Sequence, residues 1–145
     1  MDMAASATGA RRPLVAVVDD EDSVRRALLR LLRIADFDAQ GFASGEQFLE
    51  SLQIERPDCV LLDMQMVGLT GYDVQRHLIS IGLQIPLIIL TAQDEPMPCE
   101  PDLTQVVAHL RKPPRMEQLI QAVWLAVGPD CDLRAPLPGI RMPGI

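Results

Sequence analysis

Long apolar runs are missing from this sequence. Those present, such as Leu14–Val18 and residues 86–90, fall far short of the roughly 20 residues that a membrane span needs, so no transmembrane segment is expected. Residues 1–13 hold two Arg and no apolar core segment, so no secretory leader is expected either. Cysteine is scarce: Cys59, Cys99 and Cys131 are odd in number and form no CxxC pair. Reduced thiols of a cytoplasmic protein fit that pattern better than a disulfide frame. Positive charge is also in deficit, with 13 Lys and Arg against 20 Asp and Glu and a net charge of −7. Such a chain repels DNA phosphates, which argues against direct nucleic-acid binding as its main function. What remains is ordinary globular composition, 48% hydrophobic and 23% charged over 145 residues, enough for one domain.

Both ends read as tails. Residues 1–12 are small and polar. Residues 128–145 hold Pro129, Pro136, Pro138 and Pro143 with Gly128, Gly139 and Gly144, which disfavour a regular element. The folded region is therefore expected over residues 13–127, with flexible segments on either side. Within it strands and helices alternate. Leu14–Val18 is a continuous apolar run, as in a strand covered on both faces. Val24, Ala27, Leu28, Leu31, Leu32 and Ala35 form one helical stripe, with Arg25, Arg26, Arg30 and Arg33 on a solvated face. Residues 37–42 read as a short edge strand weakened by Gly41. Ser44 and Gln47 form a capping box that opens a short helix. Residues 59–62 are a second buried strand. Thr70 caps a helix whose apolar face is Val74, Leu78 and Ile81. Residues 85–90 and 106–110 are further strands, and residues 115–127 are the last helix. Between those strands Pro96, Pro98 and Pro101 stand where another helix belongs, so a loop with at most one turn near Leu103 is expected. Five such strands predict a three-layer α/β fold with a parallel sheet and right-handed crossovers.

In such a sheet ligands bind beyond the carboxyl ends of the strands. Asp19 and Asp20 follow the first strand, Asp63 the third and Thr91 the fourth, and Lys112 stands just past the fifth. All five therefore face one crevice. Two charges about 4 Å apart repel by roughly 4 kcal/mol at an effective dielectric near 20, so three carboxylates call for compensation. Lys112 supplies one positive charge, and a divalent cation suited to hard oxygen ligands, Mg2+, would supply the rest. Carboxylate, Mg2+, ammonium and hydroxyl together make a site for receiving a phosphoryl group, with an Asp as nucleophile. Taken singly, each residue has a plainer reading: Asp19 and Asp20 as helix caps, Asp63 as a loop residue, Lys112 as a solvated lysine. Their joint register argues for the site.

The blocks Val17-Val18-Asp19-Asp20-Glu21, Leu62-Asp63, Leu90-Thr91-Ala92 and Lys112-Pro113 resemble those of bacterial two-component response-regulator receiver domains. Ser23–Leu28 and Phe42-Ala43-Ser44-Gly45-Glu46 further resemble the FixJ-like subgroup. The resemblance covers nearly the whole folded region and implies a flavodoxin-like sandwich with sheet order 2-1-3-4-5, here with its fourth helix degenerate or missing. It implies that Asp63 is the phosphoacceptor, taking the group from a sensor histidine kinase or a histidine phosphotransfer protein. Asp20 and Asp63 would ligate Mg2+ directly, Asp19 through water, and Gln65 through its backbone carbonyl. Lys112 would pair with the phosphoryl group, Thr91 would hydrogen-bond it, and Ala92 would leave it room. Gln65 and Gln93 occupy positions that influence acyl-phosphate hydrolysis in the family.

Three departures stand out. Val67 replaces the Pro usual four residues after the acceptor, which implies a looser loop. His109, read either as a strand residue facing solvent or as a modified switch, replaces the aromatic residue that acts in the family with the residue at Thr91 as a switch, and the proline-rich stretch replaces the fourth helix. With no second hydrophobic, helix-forming region, a stand-alone receiver is expected, with output by protein–protein contact or phosphorelay and no turnover activity beyond slow autodephosphorylation. The alternative is a pseudo-receiver that binds partners without phosphate. A phosphohydrolase is disfavoured because the downstream acids Glu100, Asp102 and Glu117 do not supply its second metal-binding pair. A flavin carrier is disfavoured because no Ser/Thr/Gly-rich phosphate loop follows Val18.

Overall fold

The computed structural model describes residues 12–92 and 105–132, with residues 128–132 described by their backbone alone. In chain order the elements are β1 (Leu14–Val18), α1 (Asp22–Ile34), β2 (Asp38–Phe42), α2 (Gly45–Ser51), β3 (Cys59–Asp63), α3 (Gly71–Ser80), β4 (Leu87–Thr91), β5 (Val106–Arg111) and α4 (Met116–Asp132). The strands form one parallel sheet in the order β2-β1-β3-β4-β5, as expected.

The unbroken apolar runs of β1, β3 and β4 follow from this order. A strand's side chains alternate between faces, and these three strands are interior, so both faces need apolar residues. Val15, Val17, Cys59, Leu61, Ile88 and Leu90 point to one face, where Leu28 and Leu32 of α1 and Leu119, Ala122 and Val123 of α4 cover them. Ala16, Val18, Val60, Leu62, Leu87 and Ile89 point to the other, under Phe48 of α2 and Val74 and Leu78 of α3. Each fully buried aliphatic side chain stabilises the fold by about 1.5–3 kcal/mol. Cys59 is buried within this core. Among the described residues no helix is long and apolar enough to cross a membrane.

The helix starts follow local chemistry. Ser44 Oγ accepts from Gln47 N at 3.1 Å, and the Gln47 side chain reaches back to Ala43 N, one residue before the cap. Thr70 and Asp73 form a reciprocal capping box on α3. Beside Gly41 in edge strand β2, an added Cβ would lie 2.9 Å from Leu29 Cδ1, so the glycine lets α1 approach.

Some details differ from the sequence reading. Ala27 and Ile81 are exposed because each sits at the margin of its helical stripe. The last helix passes the expected boundary at Val127 and runs through Asp132. Once nucleated, a helix extends by one hydrogen bond per residue, which carries this one past Pro129 although a proline removes a donor and crowds the carbonyl four residues back. The loop expected around Pro96, Pro98 and Pro101 and the outer parts of both tails lie outside the described residues. Trp124 packs against Phe37 at a ring-centroid distance of 5.1 Å, at the end of the sheet opposite the carboxylates.

Candidate functional site

Parallel strands bring their carboxyl ends to one edge, and there Asp19, Asp20, Asp63, Thr91 and Lys112 converge. Asp63 is the last residue of central β3, Thr91 the last of β4, and Lys112 follows β5 directly. The Lys112 amide donates to the Thr91 carbonyl at 2.8 Å, which continues the β4–β5 ladder into the site. Lys112, the single lysine of the sequence, places its Nζ 3.0 Å from Asp19 Oδ2 and 3.2 Å from Asp63 Oδ2. One oxygen from each of Asp19, Asp20 and Asp63 lies within 4.8 Å of the others.

Burial sets the electrostatics. Asp19 is fully buried and Asp63 is 3% exposed, while Asp20 faces solvent. Burial, with Asp19 adding to it, pushes the Asp63 carboxyl from 3.8 up to about 6 against the opposing pull of the Gln65 amide and Lys112. Burial works against the charge on Lys112, but Asp19 and Asp63 outweigh it and hold the ammonium above its usual range. Two buried carboxylates share one ammonium, with a third carboxylate at the rim. This all-oxygen, electron-rich set fits a hard divalent cation such as Mg2+, which keeps several waters and needs only one or two protein carboxylates.

Main-chain donors hold the carboxylates. Asp19 Oδ1 accepts from Glu21 N at 2.9 Å, and Asp63 Oδ1 accepts from Gln65 N at 3.1 Å. Neither Asp19 nor Asp20 caps α1: its N-cap is Glu21, which makes no side-chain cap bond. The helix-cap reading of the acidic pair is thereby replaced by the cluster.

A family model, the response regulator receiver domain, matches residues 15–124. The chain belongs to that family. It is 33% identical over 120 residues to Nodulation protein W of Bradyrhizobium diazoefficiens, covering 82% of this chain and 53% of that protein. It is 35% identical over 126 residues to Transcriptional regulatory protein TdiR of Thauera aromatica, covering 86% of this chain and 55% of that one. The chain thus spans about half the length of these curated relatives. Among solved structures, a response regulator receiver protein from Burkholderia phymatum superposes with a TM-score of 0.71 at 42% identity, over 81% of this chain and 96% of its own.

This receiver contains three supports for the site that sequence reasoning missed. Arg25 is not part of a solvated face. Its Nη1 donates to the Asp19 carbonyl at 2.7 Å and it also pairs with Asp22. Nothing in an amphipathic stripe distinguishes it from Arg26 or Arg30. Gly71 opens α3 beneath the acceptor, where an added Cβ would lie 2.8 Å from the Asp63 carbonyl oxygen and 2.9 Å from Met64 Cα. A glycine directly after the Thr70 cap was the available signal. Gly71→Ala is expected to lower the unfolding free energy by about 1–3 kcal/mol through overpacking. Urea denaturation checks this, and wild-type stability would show that the loop after β3 yields freely.

The third support is the loop carrying Val67. It is linked to the site, because the Val67 N–H donates to Asp20 Oδ2 at 3.0 Å. A proline has no such donor. His109 is half-buried, not solvent-facing, and burial pulls its pKa below 6.5. It aligns with Ile89 across β4–β5 while Arg111 aligns with Thr91, so His109 and Thr91 share one sheet face.

Proposed function

We propose that this receiver accepts a phosphoryl group on Asp63, in a Mg2+-dependent reaction, from a phosphohistidine of a sensor histidine kinase or a histidine phosphotransfer protein. The observation that carries the reading is the placement of Lys112 Nζ between the buried carboxylates of Asp19 and Asp63. With its carboxyl at about 6, Asp63 is mostly ionised at neutral pH and available as a nucleophile. Its oxygen forms the new P–O bond as the P–N bond to the donor imidazole breaks. Asp20 and Asp63 would hold Mg2+ directly, Asp19 through water and Gln65 through its backbone carbonyl, and the ion would supply neutralisation of the phosphoryl oxygens. Lys112 then pairs with the phosphoryl group, and Thr91 donates its hydroxyl to it.

His109 completes the proposed switch. Its ring is neutral at physiological pH, and its Nε2 has no hydrogen-bond partner among the described residues. A neutral ring on the face of Thr91 can be repositioned without moving a charge through the core. Output is proposed to run through protein contact or onward phosphotransfer in the cytoplasm, with Asp63 a phosphoacceptor and not a centre of turnover. A phosphate-mimic titration with Mg2+ separates this reading from phosphate-independent partner binding, which predicts no response.

Mg2+ affinity provides a second test. Asp20→Ala is expected to weaken binding by about tenfold or more, a loss of about 1.4 kcal/mol or more for a removed charged ligand. NMR shifts of amides around residues 19–20 and 63–67 report it, since Trp124 lies at the far end of the sheet. Undiminished binding in Asp20→Ala would remove this residue from the ligand set.

A further inference from the structure

We infer that the main-chain N–H of Val67 is a positioning group for Asp20, orienting its carboxylate toward the cation site. The inference rests on the proposed Mg2+ reading. Asp19 and Asp63 are buried and held by Lys112, whereas Asp20 lies at the exposed rim. Among the described residues, the Val67 N–H is the one hydrogen-bond donor to the Asp20 carboxylate, at 3.0 Å across the gap between the loops after β1 and β3.

The loop after β3 is built to hold that donor in place. Met64 and Met66 are buried in the core on the α2–α3 face and anchor it at alternate positions. The two residues between and beyond them, Gln65 and Val67, turn their side chains outward and their amides toward carboxylates. Gln65 N serves Asp63 Oδ1, and Val67 N serves Asp20 Oδ2. The Val67 side chain is 86% exposed, so it contributes little packing. The function of position 67 therefore lies in its backbone, and any residue that keeps an N–H preserves it.

A hydrogen bond on Oδ2 restricts the side-chain torsions of Asp20 while its carboxylate keeps an oxygen within 4.8 Å of oxygens of Asp19 and Asp63. Without the bond, an exposed carboxylate must be ordered by the cation itself, at the expense of affinity. Val67→Pro is accordingly expected to weaken Mg2+ binding by about three- to tenfold, the effect of losing one solvent-exposed charged hydrogen bond. Val67→Ala, which keeps the donor, is expected to bind as wild type.

The test is an NMR Mg2+ titration of the full chain as wild type, Val67→Ala, Val67→Pro, Asp20→Ala and the Asp20→Ala/Val67→Pro pair. With Asp20 removed, the proline has no hydrogen bond left to break, so the Asp20→Ala and double variants should bind equally. Wild-type affinity in Val67→Pro, equal weakening in Val67→Ala, or a further loss in the double variant would each overturn the inference, the last by showing loop distortion. Amide exchange gives an independent readout: the Val67 N–H should exchange faster in Asp20→Ala than in wild type. Unchanged exchange would refute the hydrogen bond itself. Failure of wild type to bind Mg2+ would instead fall on the proposed function.

Discussion

Asp63→Asn is expected to reduce phosphorylation by acetyl phosphate to below about 1% of wild type, since an amide is not a competent nucleophile for phosphoryl transfer. Asp63 ends the central strand and has Asp19 and Lys112 against its carboxylate, with Asp20 at the rim of the same cluster. Asp19 is fully buried, and Asp20 is exposed and forms no ion pair with Lys112 among the described residues. Labelling with a radioactive small donor and Mg2+, followed by hydroxylamine treatment to identify an acyl phosphate, makes the measurement. Retained labelling in Asp63→Asn would move the acceptor to another side chain.

The same substitution is expected to stabilise the metal-free protein at neutral pH. A carboxyl raised from 3.8 to about 6 by folding binds its proton more tightly in the folded state than in the unfolded one. Below 3.8 both states are protonated and the contribution is fully present. Between 3.8 and about 6 the folded state holds the extra proton, so rising pH removes stability. Above about 6 the loss is complete, and the gap corresponds to about 3 kcal/mol. The uncharged amide of the Asp63→Asn variant escapes that loss and leaves Lys112 in a balanced pair with Asp19.

Urea denaturation in the presence of a chelator should therefore show a gain of about 1–3 kcal/mol for Asp63→Asn above pH 7. The gain should shrink toward zero near pH 4. Saturating Mg2+ should narrow it, because a ligand that binds the folded wild type stabilises that state by mass action. A destabilised Asp63→Asn variant at pH 7 would mean that the ionised carboxylate is a net support of the fold, contrary to the electrostatics of the cluster.

Much of this receiver was legible in the order of its residues. The interior strands announced themselves as unbroken apolar runs, and the alternation with helical stripes required a parallel sheet. That sheet put every strand's carboxyl end on one edge, which sufficed to group Asp19, Asp20, Asp63, Thr91 and Lys112 although they are far apart in the chain. Ser44 and Thr70 were readable as caps because a cap is a contact between residues three apart.

Tertiary structure decided what depends on contacts between distant segments. Arg25 looks like its neighbours on α1 until its guanidinium is seen to reach the Asp19 carbonyl. His109 reads either as a strand residue facing solvent or as a modified switch, and only the packing of β5 shows it half-buried. Val67 was read as a lost proline, because a sequence records side chains and says nothing of where a main-chain N–H points. Residues 20 and 67 meet only when β1 and β3 lie side by side, so the donor to Asp20 has no signature within either loop. The chemistry of each group is a property of its residue type, but its partner, its burial and hence its pKa are properties of the assembled sheet.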